Sequence, residues 1–119
     1  MKEIEKFKVK ENEFVINNNI LTVSVNNQKI KLTHAEFCIL HYLIHHQRVL
    51  ISKREIDTRV LNLRLDRDGD ICSGRFSTYS HVAAIRRALN KISKGLGNII
   101  VTKPRFGYYL DNDDFQYQS

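Results

Sequence analysis

The chain of 119 residues has few of the residues that staple or interrupt a fold: no tryptophan, one proline, five glycines and two cysteines. Cys38 and Cys72 form neither a disulfide framework nor a CxxC pair, so we expect two free thiols in a reducing compartment. No stretch has the composition of a linker. No segment approaches the ~20 apolar residues of a membrane helix, and the N-terminus lacks the apolar core of a signal peptide. These absences predict a single cytoplasmic domain.

Acidic residues are also absent from one long stretch, residues 71–110. This stretch carries seven basic residues, which are Arg75, Arg86, Arg87, Lys91, Lys94, Lys103 and Arg105. The whole chain has 19 Lys and Arg against 13 Asp and Glu, so the stretch accounts for all of the net charge of +6. Because the charge lies within a patterned, apolar segment, we predict a folded electrostatic face rather than a disordered basic tail. The first expected partner of such a face is a nucleic-acid backbone.

The pattern of residues 14–32 is typical of a small antiparallel sheet. Apolar residues alternate with polar ones from Ile20 to Val25 and again at Ile30 and Leu32. Asparagines at positions 17–19 and 26–27 supply turn residues that tolerate positive φ. We therefore predict three or four short strands here.

Two capping boxes indicate the starts of helices. In Thr33-His34-Ala35-Glu36 the threonine hydroxyl can accept from an early backbone N–H, and the glutamate can reach back to the cap. The second box is Ser52-Lys53-Arg54-Glu55, followed by Ile56 and Val60 as inward residues. Residues 62–76 have no lasting period and are predicted to form a loop.

A third helix is indicated by an inward stripe with steps of 4, 3, 4 and 3 positions: Thr78, Val82, Ile85, Leu89 and Ile92. The opposite face holds Tyr79, Ser80, Ala83, Ala84, Arg87 and Lys91, flanked by His81 and Arg86. Gly95 and Gly97 end the helix, and residues 99–102 and 107–110 read as two strands with a basic connection. We therefore predict an α+β fold, a winged helix-turn-helix with an N-terminal antiparallel sheet, three helices and a C-terminal β-hairpin wing at residues 99–110.

The third helix, predicted as residues 77–92, has the dimensions to enter duplex DNA. A helix of about 16 residues is ~24 Å long, and its narrow polar face fits a major groove ~12 Å wide. Small Ala83 and Ala84 allow close approach and contact with thymine methyls, while Tyr79 and Ser80 can hydrogen-bond base edges or phosphates. On the helix, Arg87 and Lys91 are placed for phosphate or guanine contacts. At the wing tip, Lys103 and Arg105 are placed for the adjacent backbone or the minor groove.

Four motifs occur in order along nearly the whole chain, up to Leu110. They are Leu32-Thr33-x-x-Glu36-Phe37-x-x-Leu40, Leu50-Ile51-Ser52-Lys53-x-x-Ile56, His81-Val82-x-x-Ile85-Arg86-x-x-Leu89 and Ile100-x-Thr102-x-Pro104-x-x-Gly107-Tyr108. In this order and spacing they resemble the OmpR/PhoB-type winged-helix family. Within it, Pro104 resembles the ToxR/CadC-like branch, whose wing reads Thr-Val-Pro-basic-basic-Gly-Tyr.

The resemblance also implies how the domain sits in a longer protein. Because the domain begins at Met1, we expect no receiver domain ahead of it, which fits the ToxR/CadC-like branch. That branch carries its DNA-binding domain at the N-terminus, followed by a membrane span and a sensor domain. Nothing follows Ser119, so we expect either a cytoplasmic regulator without an anchor or a piece of a membrane-tethered one.

The resemblance implies a four-stranded sheet packed on three helices, the third helix in the major groove and the wing on the backbone. By position, its helix contacts fall on Phe76, Ser77, Ser80, His81, Ala84 and Arg86, and its wing contacts on Lys103 and Arg105. Phe76 and Ala84 stand where many members carry a long polar side chain. The family further implies a helix 2–3 loop that contacts RNA polymerase, and binding as a weak monomer or dimer on tandem DNA repeats.

Residues and resemblance together predict a DNA-binding domain at residues 1–110 and a short acidic polar tail at residues 111–119. The predicted partner is double-stranded DNA. The predicted contact residues are Ser77, Tyr79, Ser80, His81, Ala84, Arg86, Arg87, Lys91, Lys103 and Arg105.

We expect no metal, cofactor or enzymatic activity. Cys38, His41 and His45 lie within about 100° on the first helix, but no fourth ligand has suitable spacing, so we interpret them as a helix surface with a half-buried thiol. Asp66-x-Asp68-Gly69-Asp70 resembles part of a calcium loop, yet Ser77 occupies the place of its closing glutamate, so a turn is expected. The sequence has no credible nucleophile and base arrangement and no glycine-rich phosphate loop.

Three alternatives stay open. The domain can serve as a protein-interaction module that docks on another regulator or on RNA polymerase. It can bind RNA or single strands, which requires exposed aromatics on a basic surface, where Tyr79 is the clear candidate. It can also act as a thiol or metal sensor through Cys38 or Cys72.

Overall fold

The computed structural model describes residues 3–61 and 78–112. Its strands are β1 (Ile4–Val9), β2 (Asn12–Asn17), β3 (Thr22–Val25), β4 (Gln28–Ile30), β5 (Ile100–Lys103) and β6 (Gly107–Leu110). Its helices are α1 (His34–His45), α2 (Lys53–Glu55, continued by a π-helical turn at Ile56–Val60) and α3 (Thr78–Ile92, followed by a 3₁₀ turn at Leu96–Ile99). The order confirms the α+β winged-helix prediction.

The first four strands form an antiparallel sheet in the order β1-β2-β3-β4. One face of the sheet is buried because alternate residues point inward, namely Val9, Phe14, Ile16, Val23, Val25 and Ile30. The predicted sheet is therefore confirmed. The residue pattern missed β1, which lies ahead of residue 14 and whose Phe7 pairs with Phe14 of β2.

The two asparagine-rich turns have different backbones. Asn26 and Asn27 both have positive φ, at 50° and 68°, as predicted. In the turn between β2 and β3 the positive φ falls on Leu21, whereas the Asn17 side chain accepts hydrogen bonds from the Asn19 and Ile20 amides at 3.0 and 3.2 Å. The strand begins at Thr22 and Ile20 is 58% exposed, so the predicted alternation was wrong at Ile20. It is confirmed at Val23, Val25 and Ile30, which are buried.

The first capping box is complete. The Glu36 amide donates to the Thr33 hydroxyl at 3.2 Å, and the Thr33 amide donates to the Glu36 carboxylate at 3.0 Å. The second box is only half formed: Ser52 caps the Glu55 amide at 3.0 Å, but the Glu55 carboxylate accepts from the Tyr42 hydroxyl at 2.5 Å. This hydrogen bond, together with burial, raises the pKa of Tyr42 and joins α1 to α2.

The predicted inward stripe of α3 is confirmed. Its residues Thr78, Val82, Ile85 and Leu89 are buried, and Ile92 is half-buried against the core. The buried face of α1 meets this stripe, with Phe37, Leu40 and Leu43 among its buried residues. The helices thus share one core with the inner face of the N-terminal sheet.

The C-terminal hairpin is docked on the connection between α1 and α2. Strands β5 and β6 pair antiparallel, and Ile51 adds a bridge to Tyr108 through hydrogen bonds of 2.8 and 2.9 Å in the two directions. Tyr108 is buried and Tyr109 is half-buried. The wing is therefore held at its base, while its tip at residues 103–106 projects into solvent.

Ordered contacts continue past Leu110. Asn112 is buried and joins the two ends of the described chain: it accepts from the Lys10 amide at 3.1 Å and donates to the Lys8 carbonyl at 3.1 Å. Asp111 forms an ion pair with Lys10 at 2.9 Å. The predicted boundary at residue 110 stays a prediction, but the first two residues of the predicted tail pack on the sheet.

Several predictions concern positions outside the described residues. These are the loop at residues 62–76, the calcium-like fragment at residues 66–70, Cys72, Phe76, Ser77 and the last residues of the tail. Within residues 3–61 and 78–112, no helix has the length and hydropathy to span a membrane.

Candidate nucleic-acid interface

The outward face of α3 presents several of the residues predicted to contact DNA. Tyr79 is 68% exposed, and Ser80, Arg87 and Lys91 are also exposed. His81, Ala83 and Ala84 are half-buried at the margins of this face. Because the opposite stripe is buried in the core, packing orients the basic and small polar side chains toward solvent.

A buried carboxylate fixes the start of α3. Asp57, which is 1% exposed, accepts a hydrogen bond from the hydroxyl of Thr78, the first residue of α3. Its second oxygen forms an ion pair with Lys53 at 2.7 Å. Asp57 therefore connects α2 to α3, which are the two helices of the helix-turn-helix. Asp57 was not among the predicted functional residues, although its i, i+4 spacing from Lys53 is a recognisable signal.

Arg86 connects α3 to the wing. Its guanidinium donates to the Ile100 carbonyl from Nε at 3.2 Å and from Nη2 at 2.7 Å, and Nη2 also donates to the Thr102 hydroxyl at 2.7 Å. The side chain is half-buried. Arg86 thus holds β5 beside α3, and its contact with DNA stays a prediction.

We expect Arg86→Ala to lower the free energy of unfolding by about 1.5 kcal/mol, because charged hydrogen bonds to β5 are lost. The adjacent Arg87→Ala removes an equal charge from an exposed position and should change stability by less than about 0.5 kcal/mol. Urea unfolding without DNA measures both. Equal effects of the two substitutions would show that Arg86 does not anchor the wing.

The wing tip extends the basic surface. Lys103, Arg105 and Phe106 are exposed, with Phe106 at 68%, and Arg105 takes a positive φ of 74° in the turn. The tip and the start of α2 line a cleft of about 310 Å³ that includes Lys53 and Arg54. Three elements therefore contribute basic side chains to this side of the molecule: α3, the wing tip and the start of α2.

This arrangement can bind a polyanion. The exposed cations can neutralise phosphates, and the short side chains between them on α3 leave room for close approach to base edges.

Burial raises the pKa of the Tyr108 hydroxyl at the base of the wing, so this group stays neutral at physiological pH.

The sheet, the three helices, the docked hairpin and the basic outer face of α3 define a winged helix-turn-helix domain. The family model described as "Transcriptional regulatory protein, C terminal" matches residues 26–110. The chain belongs to this family, the OmpR/PhoB-type winged-helix DNA-binding domains of transcriptional regulators. This is a family of regulators and not of enzymes. The ToxR/CadC-like branch stays a prediction.

Two solved structures share the fold. The DNA-binding domain of CpxR from E. coli is 23% identical, with 91% of this chain and 97% of that chain covered and a TM-score of 0.69. The DNA-binding domain of the response regulator AdeR, in complex with an intercistronic region, is 19% identical, with 94% and 96% covered and a TM-score of 0.61. No curated protein sequence matches this chain.

Proposed function

We propose that this chain is a sequence-specific duplex-DNA-binding domain of a bacterial transcription regulator. In this proposal α3 enters the major groove and the wing contacts the adjacent backbone or minor groove. The observation that carries the proposal is the hydrogen bonding of Arg86 to Ile100 and Thr102, which sets α3 beside the wing. Arg87 and Lys103 directly follow two of these residues in the chain, and both are exposed.

The contact residues divide into two roles. Exposed cations neutralise phosphates and supply most of the affinity; these are Arg87, Lys91, Lys103 and Arg105. Tyr79, Ser80 and Ala84 face base edges and supply hydrogen bonds or methyl contacts. Because long polar base-reading side chains are scarce on the described part of α3, DNA shape contributes a large share of the discrimination.

The structural similarity to AdeR supports double-stranded DNA as the class of partner. AdeR is a response regulator whose DNA-binding domain was solved with an intercistronic region. For the present chain the proposal extends to cooperative binding of weak monomers or dimers on tandem repeats. It also extends to contact with RNA polymerase through the segment between α2 and α3.

We expect the double variant Arg87→Ala/Lys103→Ala to weaken duplex binding by about 2 kcal/mol, roughly 30-fold, because two phosphate contacts are lost. The slope of log K against log salt should flatten by about 1.8. Fluorescence anisotropy across salt measures this on random duplexes enriched by selection, with a single strand of matched sequence beside them.

The matched control is Lys6→Ala/Lys8→Ala, which removes the same net charge from exposed positions of β1. This control should keep most of the affinity and salt slope. Equal losses in both variants would reduce the proposal to nonspecific charge attraction. Weak binding of the unmodified chain without an enriched motif would favour the protein-interaction module, and preference for the single strand would favour the RNA or single-strand alternative.

A further inference from the structure

A second cluster of functional groups lies away from the basic surface, between the first strand and the first helix. His41 and His45 are one turn apart on α1, with ring centroids 4.4 Å apart. Glu5 of β1 points between them, its Oε2 atom 3.5 Å from Nε2 of His41 and 3.2 Å from Nε2 of His45. The potential ligand atoms of the three residues all lie within 4.8 Å of one another.

These separations suit a tetrahedral zinc ion. With zinc-to-ligand bonds of roughly 2.0–2.1 Å, tetrahedral geometry sets neighbouring ligand atoms roughly 3.3–3.4 Å apart. The separations of Glu5 Oε2 from the two histidine nitrogens, 3.2 and 3.5 Å, bracket that value, and all the ligand atoms lie within 4.8 Å of one another. A cleft of about 350 Å³ opens beside the three residues and includes Asn18, Leu21 and Phe37 in its lining. The cleft gives room for water as a fourth ligand.

The surroundings hold the three side chains in place. The Asn18 amide donates to Oε2 of Glu5 at 3.0 Å, the kind of outer hydrogen bond that orients a metal-binding carboxylate. Phe37 stacks on His41 with ring centroids 5.6 Å apart, and the rings of Phe7 and His45 form a T-shaped pair with centroids 5.0 Å apart. These contacts keep the three side chains close to one another in the fold.

Among the described residues, Glu5 rather than Cys38 completes the cluster with the two histidines.

We propose that Glu5, His41 and His45 form a binding site for a divalent transition-metal cation, with zinc as the best fit, that links β1 to α1. Two imidazoles and one carboxylate favour zinc over the oxygen-preferring Mg²⁺. The bound ion joins the first strand of the sheet to the helical core. Since the three ligands come together only in the fold, the metal binds the native state and stabilises it.

The test is thermal unfolding of the whole chain, first stripped of metal with EDTA and freed of the chelator, and then measured with and without zinc chloride. At zinc 100-fold above the dissociation constant, the unfolding midpoint should rise by roughly 10 °C. The rise should fall below about 2 °C in Glu5→Gln and in His45→Gln. His34→Gln, which changes an exposed histidine at the start of the same helix, should keep the full rise. Magnesium should have no effect.

Each variant is compared with itself with and without zinc, so a loss of intrinsic stability does not obscure the result. Cobalt(II) as the probe should show the intense visible bands of a tetrahedral site without thiolate charge transfer, and Cys38→Ser should leave the spectrum unchanged. The proposal is overturned if zinc does not raise the unfolding midpoint of the unmodified chain. It is also overturned if Glu5→Gln and His45→Gln keep the zinc-dependent rise in midpoint, or if Cys38→Ser abolishes that rise. The first result would identify the cluster as an ion-paired group without a metal.

Discussion

Replacement of Gly107 by alanine is expected to lower the free energy of unfolding by about 4 kcal/mol, through backbone strain and overpacking. Gly107 has a φ of +145°, and a Cβ atom there would lie 2.0 Å from the Ile51 carbonyl oxygen and 2.8 Å from the Ser52 Cα. Those atoms are backbone, so no side chain can move aside. Since a small domain has roughly 5–15 kcal/mol of total stability, the loss is large.

Gly95→Ala is the matched control. Gly95 also has a positive φ, +83°, but a Cβ atom there would meet nothing closer than the Asn98 side-chain amide at 3.9 Å. Alanine at Gly95 should therefore show the conformational cost alone, about 1 kcal/mol. Urea unfolding of both variants separates strain from steric clash. A loss for Gly107→Ala no greater than that for Gly95→Ala would contradict the close approach of the wing to Ile51.

The same substitution should affect the wing before the rest of the fold. Gly107 lies next to Tyr108, whose amide and carbonyl hydrogen-bond to Ile51 at 2.9 and 2.8 Å. Pushing Ile51 away breaks this bridge, so we expect the Tyr108 amide to lose protection from hydrogen exchange. Under the proposed function, DNA affinity should also fall, since Lys103 and Arg105 are carried by the displaced hairpin.

Asp57→Ala is expected to lower the free energy of unfolding by about 3 kcal/mol, because it removes a buried carboxylate with two partners. The Thr78 hydroxyl, fully buried at the start of α3, would lose its acceptor. The Lys53 ammonium would lose its ion pair, but its side chain is 54% exposed and can be rehydrated. Most of the cost should therefore come from Thr78. Chemical denaturation measures the loss.

A double-mutant cycle with Thr78→Val tests this division. Valine keeps the shape of threonine and removes the hydroxyl, so Thr78→Val alone should cost about 1–2 kcal/mol. In the double variant no buried hydroxyl is left unpaired, so its cost should fall clearly below that of Asp57→Ala alone. Strictly additive losses would mean that the two side chains do not interact across α2 and α3.

Asp57, Arg86 and Gly107 share one role in the proposed interface. None of them needs to touch DNA, yet each sets the position of an element that does: Asp57 orients the start of α3, Arg86 holds β5, and Gly107 permits the docking of β6. Exposed residues such as Arg87 are expected to contribute little to folding, and they face solvent where a ligand can reach them. Stability measurements without DNA therefore distinguish the positioning residues from the contact residues.

Much of the fold was predictable because its signals are local. The Thr33 capping box spans four residues, and its two reciprocal hydrogen bonds form within them. The inward stripe of α3 repeats every three or four residues, so its buried face followed from spacing alone. Where a local signal competed with a tertiary partner, the prediction was only partly confirmed: Ser52 caps α2, but the Glu55 carboxylate accepts from Tyr42 of another helix instead of completing the box.

The sequence by itself determined the winged-helix class, the basic block at residues 71–110 and the exposed face of α3, since these depend on composition and on neighbours within one helical turn. Only the tertiary structure decided which residues distant in sequence come into contact. Thr78 hydrogen-bonds to Asp57, 21 positions away, and Arg86 to Ile100, 14 positions away. Glu5 contacts His45, 40 positions away. Contacts of this range depend on how strands and helices pack, and packing depends on the shape of the entire core rather than on any local motif.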